Sequence, residues 1–175
     1  MKHELAEEGE RAIPQVHSVL ATTDFSDLAN RAIPQAYAVV DNGGIVHLLH
    51  VLELAEPLVP PNPLYAHYTP GRAPTPEERH QLHEELSARL RMLVPAGADS
   101  RGIQTMVHVV EDSKVAAGIV QWAERIGASL ICLGSHGRTG VTRMLLGSVA
   151  QGVLKESRRP VLIVRAASEF AADSS

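Results

Sequence analysis

Apolar residues fall along this chain in two alternating kinds of run. Short, nearly continuous apolar stretches occur at Ser18 to Thr22, Ile45 to Leu52, Leu130 to Leu133 and Val161 to Val164. A fifth, Ile103 to Val110, is more mixed and carries Gln104, Thr105 and His108. Runs of this length and uniformity suit strands covered on both faces, as in a parallel sheet. Between them the spacing turns helical. Leu82, Leu86, Leu90 and Leu93 form one stripe, and Val115, Ile119, Trp122, Ala123 and Ile126 another; Val149 to Ser157 reads as a final helix. Ser26 stands where a cap is needed after the first strand, and Pro34 predicts a kink in the following helix or its real start. Gly43-Gly44 and Gly127 fall where helices must stop before the next strand.

The order is strand then helix, four times, closed by a fifth strand. This alternation predicts right-handed βαβ units in an open α/β sheet with helices on both faces. Ligands of such sheets bind at the carboxyl ends of strands, where the strand order reverses. Three segments stand outside the pattern. Residues 1–15 read as a mobile arm, residues 16–166 as the folded domain and residues 167–175 as a frayed tail. Within the domain, Pro57, Pro60, Pro61, Pro63, Pro70, Pro74 and Pro76 exclude regular structure from 57–76. That segment follows a strand, so it is read either as a flap over a ligand or as a solvated crossover.

Bulk properties narrow the function classes. A chain of 175 residues fits one domain with a sizeable core. A net charge of −4 offers no general attraction for a polyanion, and 3% aromatics argues against base-stacking platforms, so nucleic acid is not the expected partner. No apolar run approaches the ~20 residues of a membrane span, and the charged N-terminus does not read as a secretory signal. The single cysteine, Cys132, lies in an apolar run, which excludes a disulfide scaffold and favours an inert buried thiol in a reducing compartment. The expectation is a soluble, cytoplasmic protein.

The chemistry concentrates in one loop. Gly134-Ser135-His136-Gly137 directly follows the Leu130 to Leu133 strand, and Gly147-Ser148 opens the last helix. A strand, a glycine-punctuated loop and a helix start together present backbone N–H groups to an anion. The spacing, Gly-x2-Gly-x9-Gly-Ser, is neither a Walker A loop nor a dinucleotide fingerprint. Ser148, Val149 and Ala150 would offer N–H groups and the positive end of the helix dipole, and Arg138 and Arg143 fall in the intervening nine residues, where a guanidinium could reach phosphate oxygens. An ordinary αβ turn with a serine cap is the plainer reading of the same residues.

This signature is similar to that of the ATP-binding branch of the universal stress protein (UspA-like) family. "LATTDFSDLANRAI" resembles the family's first strand, ending in Asp before a capped helix, and "VHLLHVLE" its second strand. "GASLICLGSHGRTGVTRMLLGSVAQGVLKESRRPVLIVR" resembles its C-terminal third, so the likeness spans roughly residues 17 to 165. The resemblance implies a Rossmann-like five-stranded sheet of order 3-2-1-4-5 and a homodimer paired through the Val161 to Val164 strand. It also implies ATP as ligand, with or without Mg²⁺, and a role as a nucleotide-dependent stress-response or signalling module. By motif, Thr23 and Asp24 would lie at the adenine and ribose side, and Val51 would touch adenine through its backbone. Leu133, Gly134, His136 and Gly137 would line ribose and triphosphate, and Gly147, Ser148, Val149 and Ala150 would hold the phosphates. The Thr22-Thr23 pair before Asp24 and the long proline-rich segment depart from the family pattern.

Hydrolysis would need a positioned base, and no second carboxylate is evident beside Asp24; Asp27, Glu111 and Asp112 read more simply as helix-start acids. An ATPase or phosphotransferase, and a nucleotide-free dimeric interaction domain, remain as alternatives. The histidines do not suggest zinc. His47 and His50 are three apart on a strand and point to opposite faces, and His80 and His83 share a helix face without a third ligand.

Overall fold

The computed structural model describes residues 15–53, 75–136 and 146–165. The N-terminal arm up to residue 14, the proline-rich segment up to residue 74, Gly137, Arg138, Arg143 and the C-terminal tail lie outside the described residues. The described elements are β1 (Ser18–Thr22), α1 (Asp27–Asn30), α2 (Ala32–Val39), β2 (Ile45–Glu53), α3 (Pro76–Arg91), β3 (Gln104–Asp112), α4 (Val115–Arg125), β4 (Leu130–Gly134), α5 (Ser148–Glu156) and β5 (Val161–Val164). All five strands are parallel and lie in the order β3-β2-β1-β4-β5, the α/β sheet that the alternation and the resemblance imply.

Two apolar layers hold helices to this sheet. On one face Val19, Ala21, Val46, Leu48 and Cys132 pack with Ile33, Ala36, Tyr37 and Val40 around α2, and with Leu90 of α3. On the other, Leu20, Leu49, Val51, Ile131 and Leu133 pack with Ile119 and Ala123 of α4 and Ala150 and Val153 of α5. Adjacent residues of each central strand thus serve opposite layers, which is why those strands read as unbroken apolar runs. Cys132 is fully buried, its thiol donates to the Ala32 carbonyl at 3.2 Å, and burial pushes it up to about 12, so it is chemically inert.

Several local details differ from the sequence pattern. The first helix is broken at Arg31 into α1 and α2. Ser26 caps α1, accepting from the Ala29 N–H, and Pro34 sits in the first turn of α2, where a missing N–H leaves no bond unmade. Of the leucine stripe, Leu86 and Leu90 are buried while Leu82 stays exposed, and Leu93 follows the helix end. Thr75 and Glu78 form a reciprocal capping box with Pro76 at the first helical position, so α3 starts within the last prolines. β2 and β3 each run past their expected ends, to Glu53 and Asp112, and β3 begins at Gln104. Glu111 and Asp112 are therefore strand residues. Glu111 pairs with Arg79 and His83 of α3, and Asp112 accepts the Lys114 N–H.

His47 and His50 do face opposite sides of β2. His47 meets His108 of β3, Nδ1 to Nε2 at 3.0 Å, under Trp122 of α4. One nitrogen must donate and the other accept, so the contact needs an unprotonated partner. Burial, and secondarily the neighbouring His108, push His47 down to about 4, and burial also lowers His108. An unfolded histidine takes its proton near pH ~6.5. Between there and about pH 4 the unfolded chain therefore holds the extra proton, and stability falls as the solution is acidified. The part due to His47 is fully present above pH ~6.5 and amounts to about 3 kcal/mol once lost. Urea unfolding midpoints measured from pH 7 to pH 4.5 should fall accordingly, and His47→Leu should flatten the slope by about one proton. An unchanged slope in that variant would remove His47 as the cause.

Candidate functional site

The strand order reverses between β1 and β4, whose residues pair from Val19↔Leu130 to Ala21↔Cys132. The backbone leaves the sheet there on opposite sides, from β1 into α1 and from β4 towards α5. A cleft of about 490 Å³ opens at these carboxyl ends, a volume ordinary for a small-molecule site. Of the site residues singled out in the sequence, Thr23, Asp24, Val51, Leu133, Gly134, His136, Gly147, Ser148, Val149 and Ala150 all line it. Gly137 and Arg138 lie outside the described residues.

One wall is a set of donors. Gly147 is the N-cap of α5, and its N–H donates to the Ser135 carbonyl at 2.8 Å, tying the helix start to the end of β4. Gln151 makes the first backbone bond within the helix, to the Gly147 carbonyl. The N–H groups of Ser148, Val149 and Ala150 therefore have no backbone acceptor among the described residues, and all three residues face the cleft. Ser148 is the first helical residue and does not cap the helix, so the plainer serine-cap reading fails. What remains is a helix N-terminus with three available donors and the positive end of its dipole.

The two described loop glycines, Gly134 and Gly147, are needed for approach, not for unusual backbone angles. A Cβ on Gly134 would stand 2.9 Å from Ala29 Cα and 3.1 Å from the Leu28 carbonyl oxygen, so β4 passes directly against α1. A Cβ on Gly147 would come within 3.3 Å of His136 Cα and the Ser135 carbonyl oxygen. Neither glycine has a positive φ. The glycines thus bring the strand end, α1 and the α5 N-terminus close enough to share one cleft.

The facing wall is acidic and tightly built. Asp24 accepts the Ser26 N–H through Oδ1 at 3.0 Å. The Thr23 hydroxyl donates to Asn30 Oδ1 at 2.7 Å and accepts the Phe25 N–H at 2.8 Å. Phe25, with φ 66°, is the one left-handed non-glycine among the described residues, at a cost of about 1–2 kcal/mol. Its ring lies 4.6 Å from that of His50 and 4.1 Å beneath the Arg89 guanidinium. His50 Nδ1 meets the Thr23 carbonyl at 2.8 Å, and a carbonyl can only accept, so Nδ1 carries the proton.

Other residues also line the cleft, and three of them, His50, Ser135 and Glu53, bring polar groups that the sequence pattern assigns no role. His50 was placed on its face of β2 but given no role at the cleft. Ser135 is fully buried and lines the floor. Glu53 supplies the second carboxylate that seemed absent. Glu53 lies two residues beyond Val51 on β2, so simple alternation along one more turn of strand would have found it. Among the described residues no carboxylate lines the β4 and α5 wall, where the free donors are.

A model of the universal stress protein family matches residues 15–165 of the chain. Over 47 residues the chain is 49% identical to universal stress protein MJ0577 of Methanocaldococcus jannaschii, a stretch covering 27% of this chain and 29% of that relative's length. The chain therefore spans less than a third of that relative in the match. The solved structure of MJ0577, described as a structure-based assignment of biochemical function, superimposes with a TM-score of 0.66 at 27% identity, covering 87% of this chain and 98% of that one. A universal stress protein solved in complex with cAMP superimposes with a TM-score of 0.55 at 21% identity, covering 87% and 98%, a likeness of fold. No described helix is long and apolar enough to cross a membrane.

Proposed function

The chain belongs to the universal stress protein family, and from that premise we propose that its cleft binds an adenine nucleotide, with ATP as the ligand. The observation that carries this reading is the polarity of the cleft. Three backbone donors at the α5 N-terminus suit the oxygens of a polyphosphate. Asp24 and Glu53 on the opposite wall suit ribose hydroxyls or an exocyclic amine, and would repel phosphate. An adenosine phosphate is polar in the same sense and matches both ends. In this reading Thr23 and Asp24 hold the ribose and base side, and the Val51 backbone meets adenine. Leu133, Gly134, His136, Gly137 and Arg138 follow the ribose and triphosphate, and Gly147, Ser148, Val149 and Ala150 grip the phosphates. Mg²⁺ would accompany the phosphates.

Binding, and not turnover, is the expected activity. A hydrolytic site needs a base beside the terminal phosphate, and the described carboxylates of the cleft stand at the other end. Nucleotide occupancy would then act as a signal. We place the protein in the cytoplasm as a homodimer joined through β5. That strand is hydrogen-bonded to β4 alone among the described residues, and its run of Val161, Leu162, Ile163 and Val164 is an apolar edge that a second copy would cover.

Denaturing the purified protein and separating the released small molecules by ion-pair chromatography tests the reading. Recovery of ATP supports it, recovery of ADP alone would favour hydrolysis, and an empty protein that also ignores added ATP would overturn it.

A further inference from the structure

Asp24 projects from a turn held from outside the segment as well as by its own neighbours. The residue after it, Phe25, has a left-handed backbone that an aromatic residue rarely adopts unaided. The residue before it, Thr23, directly follows the end of β1. One side chain from another strand touches both. His50 of β2 donates Nδ1–H to the Thr23 carbonyl at 2.8 Å, and its ring packs against the Phe25 ring at 4.6 Å. The Arg89 guanidinium of α3 covers the Phe25 ring at 4.1 Å. His50 is itself 6% exposed, so its grip is not diluted by solvent.

We propose that His50 is a positioning residue that sets the Asp24 carboxylate for the ribose and base end of the ligand, by gripping the residues on either side of Asp24. The inference rests on the nucleotide reading above. It adds that recognition at this end depends on a histidine acting through Asp24, with Phe25 as the second point of grip. Ser26 reinforces the turn from within, its N–H donating to Asp24 Oδ1. With the His50 contacts gone, Phe25 has less reason to keep its left-handed backbone, and the carboxylate loses its fixed direction.

Two contrasts separate this role from general support of the fold. The effect of His50 should act on the nucleoside end only, so His50→Leu should weaken adenosine and ATP by the same factor, about tenfold for one misaligned hydrogen bond. The same substitution should also do nothing further once the carboxylate is gone. Calorimetric titrations of ATP and adenosine into wild type, His50→Leu, Asp24→Ala and the double variant read both. The expected result is a tenfold loss in His50→Leu and no additional loss in the double variant relative to Asp24→Ala. His50→Asn, whose amide N–H can take the place of Nδ1–H, should recover most of the affinity. Losses that multiply in the double variant, or a His50→Asn no better than His50→Leu, would overturn the positioning role while leaving the nucleotide reading intact. If wild type binds neither ligand, both fall together. Should His50→Leu fail to fold, Phe25→Gly serves in the same cycle, because glycine accepts the left-handed angle while removing the ring. The same absence of additional loss is expected of it, and multiplied losses would again overturn the role.

Discussion

A Ser148→Pro variant is expected to bind ATP about 10- to 100-fold more weakly than wild type, while unfolding within a few degrees of it. Proline fits the first helical position, where its missing N–H breaks no intrahelical bond and its fixed φ is already helical. Gly147 before it has φ −59° and ψ 155°, the extended form that a residue preceding proline adopts. The substitution therefore removes one N–H of a cleft-lining residue, and a hydroxyl, without disturbing α5. Ser148→Ala separates the two contributions, since it deletes the hydroxyl alone. A hydrogen bond to a charged group is worth about 1.5–3 kcal/mol, which sets the size of the expected loss. Adenosine, lacking phosphates, should bind Ser148→Pro as it binds wild type. Titration calorimetry with both ligands, alongside thermal unfolding, checks the prediction. Equal ATP affinity in Ser148→Pro and wild type would mean that the α5 N-terminus does not hold the ligand.

Gly134→Ala should destabilise the protein by about 1–3 kcal/mol and also weaken nucleotide binding. The added methyl would lie 2.9 Å from Ala29 Cα and 3.1 Å from the Leu28 carbonyl oxygen, both backbone atoms of α1. No rotamer change relieves such a contact, so α1 or the end of β4 must move. α1 begins three residues after Asp24, and β4 leads into the Ser135 carbonyl that seats Gly147. Either movement widens the cleft. Denaturant unfolding measures the first effect and ATP titration the second. A variant as stable as wild type would show that this approach is looser than the geometry indicates.

The sheet and its cleft were legible in the sequence because they depend on long-range order written in local pattern. Each apolar run became a strand, and the glycine run fell at the strand end where the order reverses. What escaped depended on register and on close approach. The pairing of His47 with His108 follows from the alignment of β2 with β3, which strand composition does not fix. The grip of His50 on Thr23 crosses from β2 to the end of β1, and nothing in either segment alone announces it. The loop glycines suit either close backbone approach or positive φ, and the two that are described, Gly134 and Gly147, serve approach. A serine cap is the plainer reading of Ser148, but Gly147 takes that position, and the serine N–H is left without a backbone acceptor among the described residues. The break at Arg31 arises where α1 gives way to α2, and Pro34 marked only its neighbourhood.

Everything proposed above turns on whether the polar cleft at the β1 and β4 ends binds an adenine nucleotide. Titrating ATP into nucleotide-free wild-type protein by calorimetry tests it most directly. Saturable binding is expected at one site per chain, weaker for adenosine than for ATP because the α5 donors then have no phosphate to hold. Absence of binding by ATP, or equal affinity for ATP and adenosine, would contradict it.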